Sequence, residues 1–274
     1  MTQSLTWTQN ILFALIQGVS ELFPVSSVAH GVLTPHVLGW NDLTPQFLKE
    51  HFLPYVVMLH LGTCVALLLY FFQDWKRMIR ALFAKSGHRE LLLVVLGTVP
   101  PAVLGFVFEK RLRAIFSSVT SAAFFLIING ILLFVSEKLR GRGTKRIENL
   151  SNGQAILVGL FQSLALVPGF SRSGASIVGG FLCGLTHEEA VRYSMLLATP
   201  VILGATVLEA PKLLAADSDL FLRSLAGGAV AGVAAFVSVW LMVRWFKKNE
   251  VNAMWPFALY CLAVGSLVLM TTLL

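Results

Sequence analysis

The hydrophobic positions of the chain fall into long apolar stretches, and most of the charged positions fall between them. A helix that crosses a bilayer needs about 20 mostly apolar residues. Six stretches meet this requirement without interruption: 53–72, 91–108, 119–136, 190–210, 220–245 and 254–274. The pattern predicts an all-α polytopic membrane protein with six or more transmembrane helices.

Two more apolar stretches are long enough but carry polar residues in their middle. Residues 11–33 are broken between Glu21 and Ser27, and residues 154–184 are broken at VPGFSRSG. Proline ends a helix in each break. Non-helical backbone at membrane depth is tolerated only where protein or a water-filled cavity surrounds it. Each stretch is therefore predicted to form a re-entrant helix–loop–helix hairpin.

Loop charge predicts how these elements are oriented. Basic residues concentrate in three loops, 73–90, 137–153 and 246–253. The positive-inside rule places such loops in the cytoplasm. The second hairpin then enters from the cytoplasm and the first from outside, so that their tips meet near the membrane middle. Lys110, Arg111 and Arg113 conflict mildly with this topology, because they fall in a loop predicted to lie outside.

The two hairpins share a sequence pattern. ALIQGVSELFPVSS and GLFQSLALVPGFSRS each contain a Gln, an apolar stretch, a Pro and then two serines. Similar segments in opposite orientation are typical of inverted repeats, whose functional site lies at the repeat interface. We predict one integral-membrane domain, 1–274, with a first repeat of about 1–150 and a second of about 151–274.

Composition supports the membrane class and narrows the choice of partners. The chain is 56% hydrophobic and 13% charged, with a mean hydropathy of +0.77. Its net charge of +7 sits in short loops without an aromatic–basic patch, which argues against nucleic acid. Three widely spaced cysteines argue against a disulfide framework or a zinc site. The segment before Lys49 has no basic residue, so no removable signal peptide is predicted.

The first hairpin carries a group of polar residues that an apolar segment would not need. Gln17 and Glu21 are four apart and share a helix face. An ionisable residue inside the membrane indicates function, although a structural ion pair is the alternative. Ser26 and Ser27 follow the break, where one of them could cap the next helix. If the substrate is a phosphate ester or anhydride, His30 could take a proton from Ser27 or attack the phosphorus itself.

The second hairpin carries a cationic side chain, which matches the carboxylate of Glu21 in the first hairpin. Arg172 lies between Ser171 and Ser173, and Gly174 follows. A guanidinium fork suits phosphate oxygens, and a helix starting near Ser173 would add partial positive charge. An internal salt bridge between Arg172 and Glu21 is the alternative.

These groups are suited to phosphoryl transfer on a lipid phosphate, whose tail stays in the bilayer while its head enters the cavity. His60 either lines the same site or packs in the core. Glu21 could hold a divalent cation. No dense carboxylate cluster surrounds Glu21 in the sequence, so such a cation would be shared with the substrate.

The segments ALIQGVSELFPVSSVAH, MLHLGTCVAL, PGFSRSGAS and YSMLLATPVILG resemble the undecaprenyl-diphosphate phosphatase, or bacitracin-resistance protein, family. The resemblance covers nearly the whole chain. It implies inverted repeats with two re-entrant hairpins. The key residues would be Glu21, Ser27, His30 and Arg172, with Gln17 at the variable first position of the family's (E/Q)xxxE pattern.

The resemblance also implies an activity. The family removes the terminal phosphate of undecaprenyl diphosphate with a divalent cation, Mg²⁺ or Ca²⁺, and so recycles the lipid carrier for peptidoglycan synthesis. The enzyme would lie in the bacterial inner membrane, with its site facing the periplasm and membrane lipid around it. Whether Ser27 or His30 is the nucleophile stays open, as does the oligomeric state, with a homodimer as one option.

A polyprenyl-phosphate transporter, or flippase, is the alternative function. Broken helices in inverted repeats are features of transporters. The Ser27–His30 pair separates the two, because a flippase would not need it.

Overall fold

The computed structural model describes residues 5–40, 51–84, 87–108, 118–139, 143–216, 218–249 and 252–273. Lys49 and the basic group Lys110, Arg111 and Arg113 lie outside these ranges. The described residues form α-helices, short 3₁₀ turns and one isolated β-bridge between Lys145 and Leu185. The helices are α1 (Trp7–Ser20), α2 (Ser27–Val37), α3 (Phe52–Tyr70), α4 (Phe72–Phe83), α5 (Arg89–Val107), α6 (Val119–Leu139), α7 (Asn152–Ser163), α8 (Arg172–Leu182), α9 (His187–Ala216), α10 (Ser218–Lys248) and α11 (Trp255–Leu273).

The six predicted spans are confirmed by length and composition. Helices α3, α5, α6, α9, α10 and α11 are each long and apolar enough to cross a membrane. The chain is therefore an all-α, multi-pass membrane protein. Its orientation, its division into two inverted repeats and the boundary between them remain predictions.

The interrupted stretches form two pairs of short helices, α1–α2 and α7–α8. At 1.5 Å per residue, the 14 residues of α1 and the 12 of α7 rise about 21 and 18 Å. Neither reaches across a hydrocarbon core of about 30 Å. The breaks at Glu21–Ser26 and after Leu166 fall where the sequence predicts them. That each pair enters and leaves on one side of the membrane stays a prediction.

One sequence-based assignment is wrong. Residues 73–90 were expected to be a loop, but Phe72–Phe83 forms α4, directly after α3. Its charged residues alternate with apolar ones at helical spacing, and this pattern suits a helix at a surface rather than a loop.

Helix packing brings the two pairs together at the centre. Helix α1 packs on α10, and α7 packs on α5, while α2 and α8 both pack on α6. Helix α3 packs on both α9 and α10. This arrangement surrounds the two breaks with helices on several sides, so their polar groups face protein rather than lipid.

Glycine allows α3 and α10 to approach each other closely. A Cβ added at Gly62 would lie 1.7 Å from the carbonyl oxygen of Gly228. Small residues at helix contacts are the usual device for close packing in membranes. The contact matters for function because α3 also carries His60, which faces the central cavity.

Replacing Gly62 by alanine is expected to destabilise the protein by about 2 kcal/mol or more, because two helix backbones must separate. Thermal unfolding in detergent, followed through the exposure of the buried cysteines Cys64, Cys183 and Cys261, measures the effect. Gly204→Ala is the matched control, since a Cβ there has no heavy atom within 4 Å. Equal unfolding temperatures for the two variants would contradict the packing argument.

Candidate active site

The first break is a tight turn that presents Ser27 at a helix start. Glu21 follows α1, and its backbone N–H still donates to the Gln17 carbonyl. Ser26 has a φ of 66° and caps α2, its Oγ accepting from the Ala29 N–H. A positive φ in a non-glycine residue is strained, and such strain concentrates at functional sites. Capping by one serine of the pair is thus confirmed for Ser26, which leaves the Ser27 hydroxyl for other contacts.

The second break presents Arg172 in the same way. Gly169 has a φ of 117°, and a Cβ there would lie 2.4 Å from the Cβ of Phe125, so only glycine fits. Ser171 caps α8 by accepting from the Gly174 N–H at 3.1 Å. The helix begins at Arg172, one residue before the start expected from the sequence. Ser171 therefore serves the backbone in this structure, as Ser26 does in the first break.

The two breaks touch each other, as the sequence predicts for the hairpin tips. The Ser173 hydroxyl donates to the Phe23 carbonyl at 3.1 Å. A Cβ on Gly174 would lie 3.2 Å from the Cβ of Pro24. Buried Asn129 of α6 bridges both breaks, donating to the Pro24 carbonyl and accepting from the Ser171 N–H. Ser173 and Gly174 thus hold the two breaks in register.

Glu21 is the centre of the site. Its carboxylate is 5% exposed and accepts hydrogen bonds from four side chains. Oε2 accepts from Ser27 Oγ at 2.5 Å, from Gln17 Nε2 at 3.2 Å and from His60 Nε2 at 3.0 Å. Oε1 accepts from Arg172 Nε at 3.2 Å. The buried carboxylate therefore has four donors around it, and two of them belong to side chains that can carry positive charge.

Arg172 keeps one nitrogen for another partner. Its Nε binds Glu21, and its Nη1 donates to the Ser194 carbonyl at 3.0 Å. The buried Nη2 has no hydrogen-bond partner among the residues that the structure describes. An unsatisfied buried donor is costly, and a guanidinium donor is satisfied well by an anionic oxygen. The salt bridge proposed as the alternative exists, but it uses only part of the guanidinium.

His60 is the histidine that the structure brings to this cluster. Its Nε2 faces Glu21 Oε2, and its Nδ1 lies 2.7 Å from the Val56 carbonyl oxygen. Both oxygens are acceptors only, so both contacts are hydrogen bonds only when the ring is an imidazolium. A protonated ring would place the carboxylate between two cations, an arrangement that favours an anionic ligand.

The ring of His30 lies outside the cluster around Glu21. Its Nδ1 is 2.7 Å from the Ser26 carbonyl oxygen, and its Nε2 is 2.7 Å from the hydroxyl of Tyr260 on α11. The two rings stack at 5.6 Å. The structure does not bring the His30 nitrogens to Glu21 or Arg172. In this arrangement His30 supports the strained Ser26 turn and acts on Ser27 only through it.

A cavity of about 160 Å³ contains the cluster. Glu21, Ser27, His60 and Arg172 form its polar wall. The starts of α2 and α8 both line it, and the N-terminus of each helix carries partial positive charge. Ser26, Gln162 and Ser171 also line the cavity. The remaining lining residues are apolar: Val28, Leu53, Val56, Val57, Pro101, Ala165, Leu166, Phe170, Val201, Ile202 and Ala205. The site can therefore hold an anionic head group next to an apolar chain.

The residues around Glu21 do not fit a metal site formed by the protein alone. Four donors already occupy the carboxylate, and the neighbouring charges are cationic. No group of three or more His, Cys, Asp or Glu side chains suited to a metal occurs in the described ranges. The predicted Mg²⁺ or Ca²⁺ stays a prediction in which the substrate, not the protein, would supply most ligands.

Three residues at the site were not singled out from the sequence. Asn129 bridges the breaks, the Ser194 carbonyl orients Arg172, and Tyr260 holds His30. Only Asn129 gives a signal, as an amide inside an apolar span. Ser194 acts through its backbone, and nothing in the sequence marks a backbone carbonyl as a ligand.

The fold and cavity define a multi-pass membrane protein with a buried polar cavity between two breaks in its helices. The family model described as "Bacitracin resistance protein BacA" matches residues 10–267. The chain belongs to this family. It is 51% identical over 259 residues to undecaprenyl-diphosphatase 2 of Oenococcus oeni, covering 94% of this chain and 95% of the relative. It is also 47% identical to undecaprenyl-diphosphatase 2 of Chromobacterium violaceum, with 93% and 95% covered, and 42% identical to undecaprenyl-diphosphatase of Granulibacter bethesdensis, with 96% of each covered.

Proposed function

We propose that this protein is an undecaprenyl-diphosphatase, which hydrolyses undecaprenyl diphosphate to undecaprenyl phosphate and inorganic phosphate. The observation that carries the proposal is the contact of Ser27 Oγ with Glu21 Oε2 at 2.5 Å, next to an Arg172 nitrogen that has no partner in the described part of the chain. The names of the relatives agree with this chemistry.

Ser27 is the proposed nucleophile. As its oxygen attacks the terminal phosphorus, its proton passes to Glu21 Oε2. The bond between that phosphorus and the bridging oxygen breaks, and undecaprenyl phosphate leaves. Water then attacks the phosphoserine, Glu21 returns the proton to Ser27 Oγ, and inorganic phosphate is released. His30 is not proposed as the nucleophile because it does not line the cavity and both of its ring nitrogens are engaged, one by the Ser26 carbonyl and the other by the Tyr260 hydroxyl.

Arg172 and the two helix starts stabilise the charge that develops on the phosphoryl oxygens. Glu21 and Ser194 fix two sides of the guanidinium, so Nη2 is oriented before the substrate arrives. His60 keeps Glu21 in place and offsets its negative charge. The Arg172 guanidinium is thus oriented in advance, and donors oriented in advance are the condition for efficient electrostatic catalysis.

The prenyl chain has an apolar path next to the head-group cavity. A second cavity of about 320 Å³ shares Leu53, Val57 and Pro101 with the first and continues between α5 and α9 to Leu208. A lipid diphosphate can lie with its head at Arg172 and its chain along these walls.

We propose a bacterial inner-membrane location with the site open to the periplasm, in line with the loop charges. A homodimer remains an option.

Phosphate release from purified protein tests the function. Vesicles that contain the protein and undecaprenyl diphosphate should release inorganic phosphate, and rapid acid quenching should trap an acid-stable phosphoserine. An acid-labile phosphoenzyme would instead indicate a histidine nucleophile. Movement of the lipid between leaflets without phosphate release would favour the transporter and contradict the proposal.

The imidazolium of His60 should matter for turnover. His60→Gln removes a charged hydrogen bond to Glu21, and such bonds contribute about 1.5–3 kcal/mol. We expect kcat/KM to fall roughly 10- to 100-fold, measured as phosphate release at low substrate. Tyr260→Phe is the control, because it removes only the hydrogen bond of the hydroxyl to His30, keeps the stacked ring, and should leave the rate within about threefold. Retained activity in His60→Gln would show that the ring only packs.

A further inference from the structure

Helix α4 is too short to span a bilayer and begins where a spanning helix ends. Its 12 residues follow α3 without a loop, since Phe71 closes α3 and also precedes α4. The helix rises about 18 Å. Its position at the end of α3 places it at a membrane boundary, which is cytoplasmic according to the loop charges.

Three different faces run along α4. The first is buried against the protein through Met78 and Ala81. The second exposes large apolar side chains, of which Phe83 is 89% exposed: Phe72, Ile79, Leu82 and Phe83. The third carries the basic residues Lys76, Arg77 and Arg80. An apolar face next to a basic face is the pattern of a helix that lies in the membrane interface.

Acidic side chains lie near the basic face, and most of them pair with arginines other than Arg80. Glu148 lines the same surface pocket as Arg80 but forms no ion pair with it among the described residues. The one acidic residue of α4, Asp74, binds Arg77 at 2.8 Å and Arg192 of α9 at 2.7 Å. Glu90 of α5 is engaged by the same two arginines. These ion pairs fix α4 on the body of the protein. They use Arg77 but leave the charges of Lys76 and Arg80 to the surroundings.

We propose that α4 is a built-in binding surface for anionic phospholipid. Its apolar face lies among the acyl chains, and Lys76 and Arg80 bind the phosphates of the head groups. Lys76 Nζ lies over the ring of Phe72, 6.0 Å from its centroid, so this charge sits where the basic face meets the apolar face. Charge complementarity selects the partner, because anionic lipid is enriched at the cytoplasmic surface.

Lipid retention tests the proposal on the full-length protein. The protein is placed in nanodiscs that contain equal amounts of phosphatidylglycerol and phosphatidylcholine. It is then released from the nanodiscs inside a native mass spectrometer, and the lipids that stay bound are identified by mass. We expect wild type to retain phosphatidylglycerol preferentially. Lys76→Gln with Arg80→Gln should lower that preference roughly 25-fold, about fivefold for each charge removed.

Lys247→Gln with Lys248→Gln is the matched control. It removes the same number of charges from the exposed end of α10, on the same predicted side, and should keep at least half of the preference. Equal loss in both double variants would show a general charge effect and overturn the proposal. A wild type without preference would also overturn it.

Depth measurements test the apolar face independently of charge. Spin labels at Phe83→Cys and Gln73→Cys sit on different faces of α4, and the native cysteines are buried. The label at position 83 should be reached by oxygen dissolved in the bilayer, and the label at position 73 by a water-soluble nickel chelate. A label at position 83 that contacts only the chelate would show that α4 lies outside the membrane.

Discussion

Replacing Arg172 by lysine is expected to lower the rate of phosphate release about 1,000-fold or more. An arginine that stabilises a transferring phosphoryl group contributes on the order of 10³–10⁵ to turnover. Lysine keeps the charge but cannot bind Glu21, the Ser194 carbonyl and a phosphate oxygen from three fixed directions, as Arg172 can. The measurement is kcat for undecaprenyl diphosphate in vesicles.

Two comparisons separate this chemical role from a structural one. Arg244→Lys changes an exposed guanidinium that stacks on Trp240 at 4.4 Å, and it should keep the rate within about twofold. Thermal unfolding should show that Arg172→Lys remains folded, because the lysine can still pair with Glu21. If Arg172→Lys kept a tenth of the activity or more, a point charge would be sufficient and the role assigned to Nη2 would be wrong.

The sequence predicted the helices well because the membrane imposes a simple physical requirement. A spanning helix must be long and apolar, and the six observed spans begin within three residues of the predicted starts. The breaks were also predicted, since Pro24 and Pro168 cannot continue a helix. Helix α4 was not, because its charges were interpreted as loop charges, and the sequence does not show which side chains a helix at the surface buries.

The site was predicted in part. Glu21, Ser27 and Arg172 meet as the sequence suggested, because a buried carboxylate and a buried guanidinium need each other. The sequence ranked His30 above His60 as a candidate because His30 lies closer to Glu21 and Ser27 along the chain. His30 is close to Ser27 in sequence, but its ring packs on Tyr260. His60 lies on another helix and reaches Glu21 only because α3 packs beside the breaks.

The two breaks have the same local structure, and this similarity has a physical reason. In each, a proline ends one helix and a serine caps the next, so a helix N-terminus faces the cavity from either side. Two such termini favour an anion and not a cation. The single carboxylate, Glu21, is correspondingly surrounded by donors, and Gln17 is one of them.

Replacing Ser27 by alanine is expected to reduce phosphate release on the order of 10³-fold or more, because the attacking oxygen is lost. The Arg172 nitrogen and both helix starts remain, so binding of undecaprenyl diphosphate should change by only about threefold. The acid-stable phosphoenzyme should disappear along with turnover. Both quantities are measured on the same vesicles, one by phosphate release and the other by quenching with radiolabelled substrate.

Ser26→Gly is the matched control for the neighbouring hydroxyl. Glycine accepts the φ of 66° at this position, and the loss of the cap costs only a few tenths of a kcal/mol. Its turnover should therefore stay within about fivefold of wild type, because Ser27 Oγ and Glu21 are unchanged. A phosphoenzyme that persists in Ser27→Ala would move the nucleophile to another residue. In that case the short contact between Ser27 and Glu21 would serve only to hold the turn together.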